Sequence, residues 1–362
     1  MIRKRIKRFW LELKKSATHP AAFLVTNPQN VFYLSQFKGE GILLLTEPQN
    51  YLITDSRYTE QAGQEAQYCK IIVQSLKKSD AQTASLIELI AELKIKELGF
   101  ESDFLKVSPY LKYQQLVPHI ELVPFPGIIE IIRMVKDQSE IELIKKAALI
   151  ADRAFRETIK NIKAGVSEIS LANELNYNMR KNGAANEAFD IIVTSGERGT
   201  LIHGAPSDKK IKESELIIID FGAIFNYYHS DCTRTLLIGK ANREQEQIFN
   251  LVKEVQQEIL QKVRPGVQCS ELDKYTRLRF AEKGYDDYFQ HSLGHGVGLD
   301  IHELPRLSSY SDALLEPGMV VAVEPGLYIP EIGGVRLEDT VVVTENGCDI
   351  LTGLPKELVL SF

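Results

Sequence analysis

The sequence predicts an α+β protein of two domains, the second of which repeats a helix, helix, hairpin unit. Length is the first reason: 362 residues with 44% apolar side chains exceed the usual single domain and can fill two cores. The second is a linker. Val123-Pro-Phe-Pro126-Gly127 sets two prolines and a glycine just ahead of a helical pattern, which divides the chain into domains 1–129 and 130–362. The third is the repeat itself. A helix ending in Lys163-Ala-Gly165-Val-Ser-Glu168, a second helix closing at Lys181-Asn-Gly183 and a strand Leu216–Gly222 are followed by a similar series. There Arg264-Pro-Gly266, Glu282-Lys-Gly284 and a strand reaching Glu324-Pro-Gly326 take the same places. Gly165 precedes Asp220 by 55 positions and Gly266 precedes Glu324 by 58, so an acid falls at the strand end in both halves.

Taken in order, the chain opens with MIRKRIKRFWLELKK, which holds seven basic residues and a single acid, Glu12. Ile2, Ile6, Phe9, Trp10 and Leu13 recur at helical spacing and predict an amphipathic helix packed on the first domain. Residues 21–54 read as strands and turns: Ala21–Val25, Val31–Leu34, Gly41–Leu45 and Tyr51–Thr54, punctuated by Asn27-Pro28, Lys38-Gly39 and Glu47-Pro48. Asp55 or Ser56 caps a helix through Gln61 and Ala62, and strands and helices alternate from there to Pro109. His19 and His119 lack ligand-like neighbours and read as surface or turn residues. Beyond the linker, Asp137 with Glu140 three positions later marks the N-cap of a helix running to about Ile162.

A formal charge of −6 and a pI near 5.8 argue against general nucleic-acid binding, which needs a basic face. Small or neutral ligands fit better. The basic opening has too little apolar length for a signal peptide or a membrane span. Cys69, Cys232, Cys269 and Cys348 are too dispersed for a zinc ribbon or a dense disulfide framework. Reduced thiols in a cytoplasmic protein, without nucleic-acid or membrane partners, are the expectation.

Chemistry concentrates between residues 291 and 338. Gly318–Val323 is an apolar run that delivers Glu324 at its end and is stopped by Pro325-Gly326. A second run, 335–343, reads as one strand in which Arg336, Glu338 and Thr340 share a face, so Glu324 and Glu338 are expected to meet across a strand pair. The first half offers Asp220 and, past a turn at Asn226-Tyr227-Tyr228, Asp231. With His295 in Gly294-His-Gly296-Val-Gly298, these make a five-ligand set able to bridge two divalent ions. Paired buried carboxylates need cations or protons to neutralise them, and one imidazole among oxygens suits Mn, Zn, Co or Fe. Two tempting motifs fail. His302-Glu303 is not HExxH, because position 306 is Arg, and Gly294-x-Gly-x-Gly lacks the strand-then-helix setting of a dinucleotide fingerprint.

Residues 137–360 resemble the catalytic domain of the pita-bread metallopeptidases, the family of methionine aminopeptidase, aminopeptidase P and prolidase. The matching stretches are His203-Gly, Asp220-Phe-Gly, Ser230-Asp231-Cys-Thr-Arg-Thr, His291-Ser-Leu-Gly-His295-Gly-Val-Gly, His302-Glu, Glu324-Pro-Gly-Leu-Tyr328 and Gly334-Val-Arg336-Leu-Glu338-Asp. Asp55-Ser-Arg-Tyr58-Thr-Glu-Gln-Ala62 is similar to the creatinase-like amino-terminal domain of the Xaa-Pro-cleaving branch. The resemblance implies that Asp220, Asp231, His295, Glu324 and Glu338 bind two divalent metal ions, foremost Mn with Co, Zn or Fe as alternatives. It further implies catalytic roles for His203, His291, His302 and Glu324, with Arg336 holding a ligand carboxylate or gripping a peptide carboxylate.

The expected activity is release of an amino-terminal residue from peptides with proline at position two, by a homodimer. An Xaa-Pro dipeptidase (prolidase) is the alternative within that chemistry; a catalytically inactive pita-bread binding module is the alternative outside it. Small departures from the resemblance are His229 and Cys232, which flank Ser230-Asp231 without replacing a ligand.

Overall fold

Helix α1 (Ile2–Leu13) turns Ile2, Phe9, Trp10 and Leu13 inward, four of the five positions its spacing predicts, with Ile6 half-buried, while Arg3, Lys4 and Lys7 stay exposed. Arg5 is the exception among its basic residues: its guanidinium lies 4.2 Å from the Tyr33 ring centroid and donates to the Tyr33 carbonyl at 3.1 Å. The computed structural model describes residues 1–74 and 81–359, so 75–80 of the predicted first-domain alternation and 360–362 of the predicted second domain lie outside the described residues. Two units are resolved by their internal contacts, Met1–Ile132 and Arg133–Phe362.

The first unit is a six-stranded mixed sheet. Its strands are β1 (Ala22–Val25), β2 (Gly41–Thr46), β3 (Asn50–Asp55), β4 (Cys69–Gln74), β5 (Glu97–Glu101) and β6 (Glu121–Phe125), in the order β4-β3-β2-β1-β5-β6. Helices α2 (Pro28–Ser35), α3 (Thr59–Glu65), α4 (Ala81–Glu92) and α5 (Val107–Leu116) connect them, and α6 (Ile128–Met134) follows β6. One predicted strand is wrong. Val31–Leu34 lies inside α2, whose N-cap Asn27 accepts from the Gln29 amide at 3.0 Å, with Pro28 in the first turn. Asn27-Pro28 therefore starts a helix rather than marking a turn. Every residue from Asn30 to Ser35 is buried, so the run has no polar face and shows no helical period.

In the second unit, α7 (Gln138–Thr158) begins at a complete capping box. The Asp137 carboxylate accepts the amides of Ser139 and Glu140, and Glu140 accepts the Asp137 amide at 2.9 Å. Asp137→Ala is expected to cost about 1 kcal/mol and to lower Tm by about 2–4 °C; a thermal melt checks it.

The repeat is visible in backbone bonding. Gly165, at φ +91°, follows α7 and its terminal 3-10 turn, and precedes α8 (Glu168–Lys181); β7 (Asn186–Glu187), β8 (Ile192–Ser195), β9 (Leu216–Phe221), β10 (Ala223–Phe225), β11 (Tyr228–His229) and β12 (Cys232–Leu237) come next. Gly266, at φ +82°, sits likewise between α9 (Arg243–Lys262) and α10 (Cys269–Ala281). Both glycines need a left-handed backbone that other residues resist. Their amides donate to the carbonyls of Ile211 and Leu315, 2.8 Å in each case, and the amides of Ile211 and Leu315 return to Val166 and Val267 at 2.9 Å.

Each half then lays a sheet against its helices. The first is β12-β9-β8; the second is β14-β13-β15-β18-β19, built from β13 (Gly294–Gly296), β14 (Glu303–Leu307), β15 (Val320–Val323), β18 (Asp339–Val343) and β19 (Cys348–Ile350). A separate hairpin pairs β16 (Gly326–Ile329) with β17 (Gly333–Arg336). The predicted single strand over 335–343 is thus two strands in different sheets, broken at Leu337 and Glu338. The break turns the chain from the hairpin into the larger sheet, yet β12 and the residue before it still hold all three positions. Arg336 Nε donates to Thr233 Oγ1, the Glu338 amide donates to the Thr233 carbonyl, and Thr340 Oγ1 donates to the Asp231 carbonyl.

Candidate metal centre

Strand ends place the acids. Asp220, near the end of β9, pairs with Thr233 across β12, and Asp231 immediately precedes β12. Val323 pairs with Asp339 between β15 and β18, so the next positions outward, Glu324 and Glu338, come opposite one another. His295 arrives on β13, whose Gly296 pairs with Val321 of β15 and whose register shifts between His295 and Gly296. Close approach is built in: a Cβ on Gly294 would fall 1.9 Å from the Ala322 carbonyl oxygen.

One ligand atom from each of Asp231, His295 and Glu338 lies within 4.8 Å of the others. His295 Nε2 is 3.5 Å from Asp231 Oδ2 and 3.6 Å from Glu324 Oε1. Its Nδ1 lies 3.1 Å from the Gly296 carbonyl, which only accepts, so Nδ1 carries the hydrogen and Nε2 presents a lone pair to the carboxylates. Asp220 stands beside this trio under a different restraint: Arg336 Nη2 donates to its Oδ2 at 2.7 Å, and Arg336 Nε is 4.0 Å from Glu324 Oε2.

The electrostatics show what the site can hold. Burial, then the charges of Glu338, Asp220 and Glu324, push the Asp231 carboxyl well above the ordinary range; burial, then Glu324 and Asp220, do the same to Glu338. Burial raises Glu324 to about 8 against the opposing charge of Arg336. The histidines move the other way: burial and the neighbouring His302 hold His295 at about 4, and burial and Arg336 hold His291 at about 3. For His295 the neutral imidazole is the ligating form. Asp220 Oδ1 and Glu338 Oε1 are buried without a hydrogen-bond partner, which is costly unless a cation meets them. Oxygen-rich donors, one imidazole and two orphaned carboxylate oxygens fit divalent metal ions.

The remaining predicted residues ring this centre. His302 packs edge-on against His295, ring centroids 4.3 Å apart. His291 Nδ1 donates to the Ser292 carbonyl at 2.8 Å, leaving Nε2 to accept from Tyr328 Oη at 2.8 Å; Tyr328 in turn accepts from Arg336 Nη1 at 2.8 Å. His203 is exposed in the turn after β8, near enough for its charge to disfavour protonation of His291 and His302. Two participants escaped the sequence reading. Thr233 Oγ1 donates to Glu338 Oε2 at 2.7 Å, and Tyr328, given no role from the sequence, links Arg336 to His291. Position was the available signal: Thr233 lies two residues beyond Asp231, and Tyr328 lies in the stretch that follows Glu324.

This geometry defines a two-unit protein with a buried, carboxylate-rich site able to hold divalent metal. The model of metallopeptidase family M24 matches residues 142–345, and that of the creatinase/prolidase N-terminal domain matches 5–135. The chain belongs to metallopeptidase family M24, in its prolidase branch; it is a hydrolase, and the family implies divalent metal ions. It is 38% identical to an Xaa-Pro dipeptidase of Pyrococcus horikoshii, over 99% of both chains. Among solved structures it resembles an Xaa-Pro dipeptidase from Bacillus anthracis (TM-score 0.95, 40% identity, 99% and 100% covered). It also resembles an X-Pro aminopeptidase from Thermotoga maritima (TM-score 0.88, 39% identity, 94% and 98% covered). The predicted α+β class, with a creatinase-like domain before a pita-bread domain, holds. No helix among the described residues is long and apolar enough to cross a membrane.

Proposed function

We propose that the protein is an Xaa-Pro dipeptidase that uses two divalent metal ions, Mn foremost, held by Asp220, Asp231, His295, Glu324 and Glu338. The observation that carries the choice is full-length similarity to two Xaa-Pro dipeptidases; it favours the dipeptidase over the aminopeptidase put first from the sequence. The likeness to the Thermotoga maritima X-Pro aminopeptidase supports the second reading.

When bound, the metal ions polarise the scissile carbonyl and lower the pKa of a water enough for attack near neutral pH. The chain's own residues supply the rest. Glu324, beside His295, accepts the proton released by that water and passes it to the leaving imino nitrogen. Proline's nitrogen carries no N–H in the bond to be cut, so recognition falls on the carbonyl and the ring. Neutral His291 and His302 line that side, His291 held by Tyr328, and orient the substrate while stabilising charge on the carbonyl oxygen. Arg336, which donates to Asp220 Oδ2, holds that carboxylate in place. His203, exposed at the rim, contacts the end of the substrate. The catalytic domain spans 130–362 and the first domain 1–129, and the working form is a cytoplasmic homodimer, which light scattering tests.

Metal-stripped protein titrated with manganese is assayed on an Xaa-Pro dipeptide and the matched Xaa-Pro-Yaa tripeptide. Release of the first residue from the dipeptide alone is expected. Tripeptide turnover shifts the assignment to an aminopeptidase, and turnover of neither, with metal bound, overturns both.

A further inference from the structure

Outside the metal centre, a buried charge cluster of the second unit surrounds Glu303, the residue after His302. Its side chain is 6% exposed, and two cations exposed by 2% and 1% close on it: Arg133 Nη2 at 2.7 Å from Oε1 and Lys136 Nζ at 3.2 Å from Oε2. Burial alone would raise this carboxyl, but the charges of Lys136 and Arg133 outweigh it and hold it at about 2.

The same carboxylate organises the segment before it. Glu303 Oε1 accepts the Asp300 amide at 3.0 Å, and Arg133 Nη2 also reaches Asp300 Oδ2 at 2.7 Å. The Gly298 amide donates to the Asp300 carbonyl, while the Gly298 carbonyl accepts the His229 amide at 2.8 Å and faces His229 Nδ1 at 3.1 Å. Residues 298–303 are thereby wound around one ionised side chain. Glycine at 298 is required sterically, since a Cβ there would lie 2.5 Å from Glu303 Oε1. A flexible carboxylate would yield; this one is clamped from both sides.

Buried ion pairs are poor sources of net stability, because desolvation offsets most of their attraction. What this one fixes is position. His302, carried at the end of the wound segment, is set edge-on against His295, and small displacements of a reacting group are costly in rate. We infer that Glu303, clamped by Arg133 and Lys136, is a positioning residue that sets His302 against the metal centre. The inference rests on the proposed reading of His302 as a residue facing substrate.

Three variants are compared with the parent by kcat, KM, metal content and thermal melting: His302→Ala, Glu303→Gln and Gly298→Ala. Gly298→Ala shifts the clamped carboxylate without leaving a buried charge unpaired, so it stands in should Glu303→Gln fail to fold. Both are expected to lower kcat about ten- to hundredfold, with metal content unchanged and KM within about twofold. In the His302→Ala background, Gly298→Ala is expected to lower kcat no further, a non-additivity that separates positioning from general destabilisation. Lowered melting with unchanged kcat in the folded, metal-loaded variants overturns the inference, as does full additivity with His302→Ala. Should His302→Ala itself retain the parent kcat, the reading of His302 fails instead, whatever the clamp does.

Discussion

Glu338→Ala is expected to abolish turnover and release metal, and the apo form of the variant to melt higher than apo parent. The two halves of this result come from one cause. Glu338 is 1% exposed, meets Thr233 through Oε2, and leaves Oε1 without a partner. On the proposed assignment that oxygen is a ligand atom in the metal-loaded protein, and its loss is expected to remove several kcal/mol of transition-state stabilisation. At 1.36 kcal/mol per tenfold change, a loss of about 4 kcal/mol lowers kcat/KM about a thousandfold. In the apo protein burial and the facing Glu324 and Asp220 disfavour ionisation of the same carboxyl, which costs stability above the pH at which an unfolded carboxyl ionises, so removing it lifts that cost and its repulsion. Metal analysis of the purified variant, steady-state kinetics and paired melts test both. Retained metal with full activity sinks the site, and an apo melting point below the parent's contradicts the assigned repulsion.

Much of this arrangement was legible in residue order. Acids at the ends of apolar runs, stopped by Gly or Pro, become strand-end carboxylates; the spacing from Gly165 and Gly266 reports a repeat because a left-handed glycine must close the same turn in each half. What local pattern hides is whatever depends on tertiary neighbours. Val31–Leu34 reads as a strand because α2 is buried from Asn30 to Ser35, which erases the periodicity that betrays a helix. The run 335–343 reads as one strand because alternation is preserved through Leu337-Glu338 although the hydrogen-bonding partner changes there from β16 to β15. Thr233 and Tyr328 fall within the matching stretches, but their residue types give no role until the partner atom is known. Arg133 and Lys136 lie more than 160 positions before Glu303, and nothing in either stretch announces the other.

The stabilisation conferred by metal is expected to grow with pH, and the window in which it does so follows from which groups titrate. Asp231, Glu324 and Glu338 have raised pKa values in the folded apo protein, Glu324 at about 8. Unfolded carboxyls release their protons near 4. Above that pH the folded state binds more protons than the unfolded, so apo stability falls as pH rises towards about 8. His291 and His295 act in the opposite sense, since their folded values of about 3 and 4 lie below the unfolded 6.5; their contribution rises with pH but is complete by about 6.5. Between about pH 6.5 and 8 only the carboxyl contribution remains, and apo melting falls. Glu101 in the first unit, raised to about 7 by burial, titrates in the same window with the same sign, so the informative quantity is loaded minus apo Tm, from which it cancels. Divalent ions bind the deprotonated carboxylates and neutral His295, so proton competition weakens as pH rises. Thermal melts with and without saturating manganese at pH 6.5 and 8 are expected to differ by a metal-induced shift several degrees larger at pH 8. A shift independent of pH means that the carboxylates are already ionised without metal, and places the compensating positive charge in the protein itself.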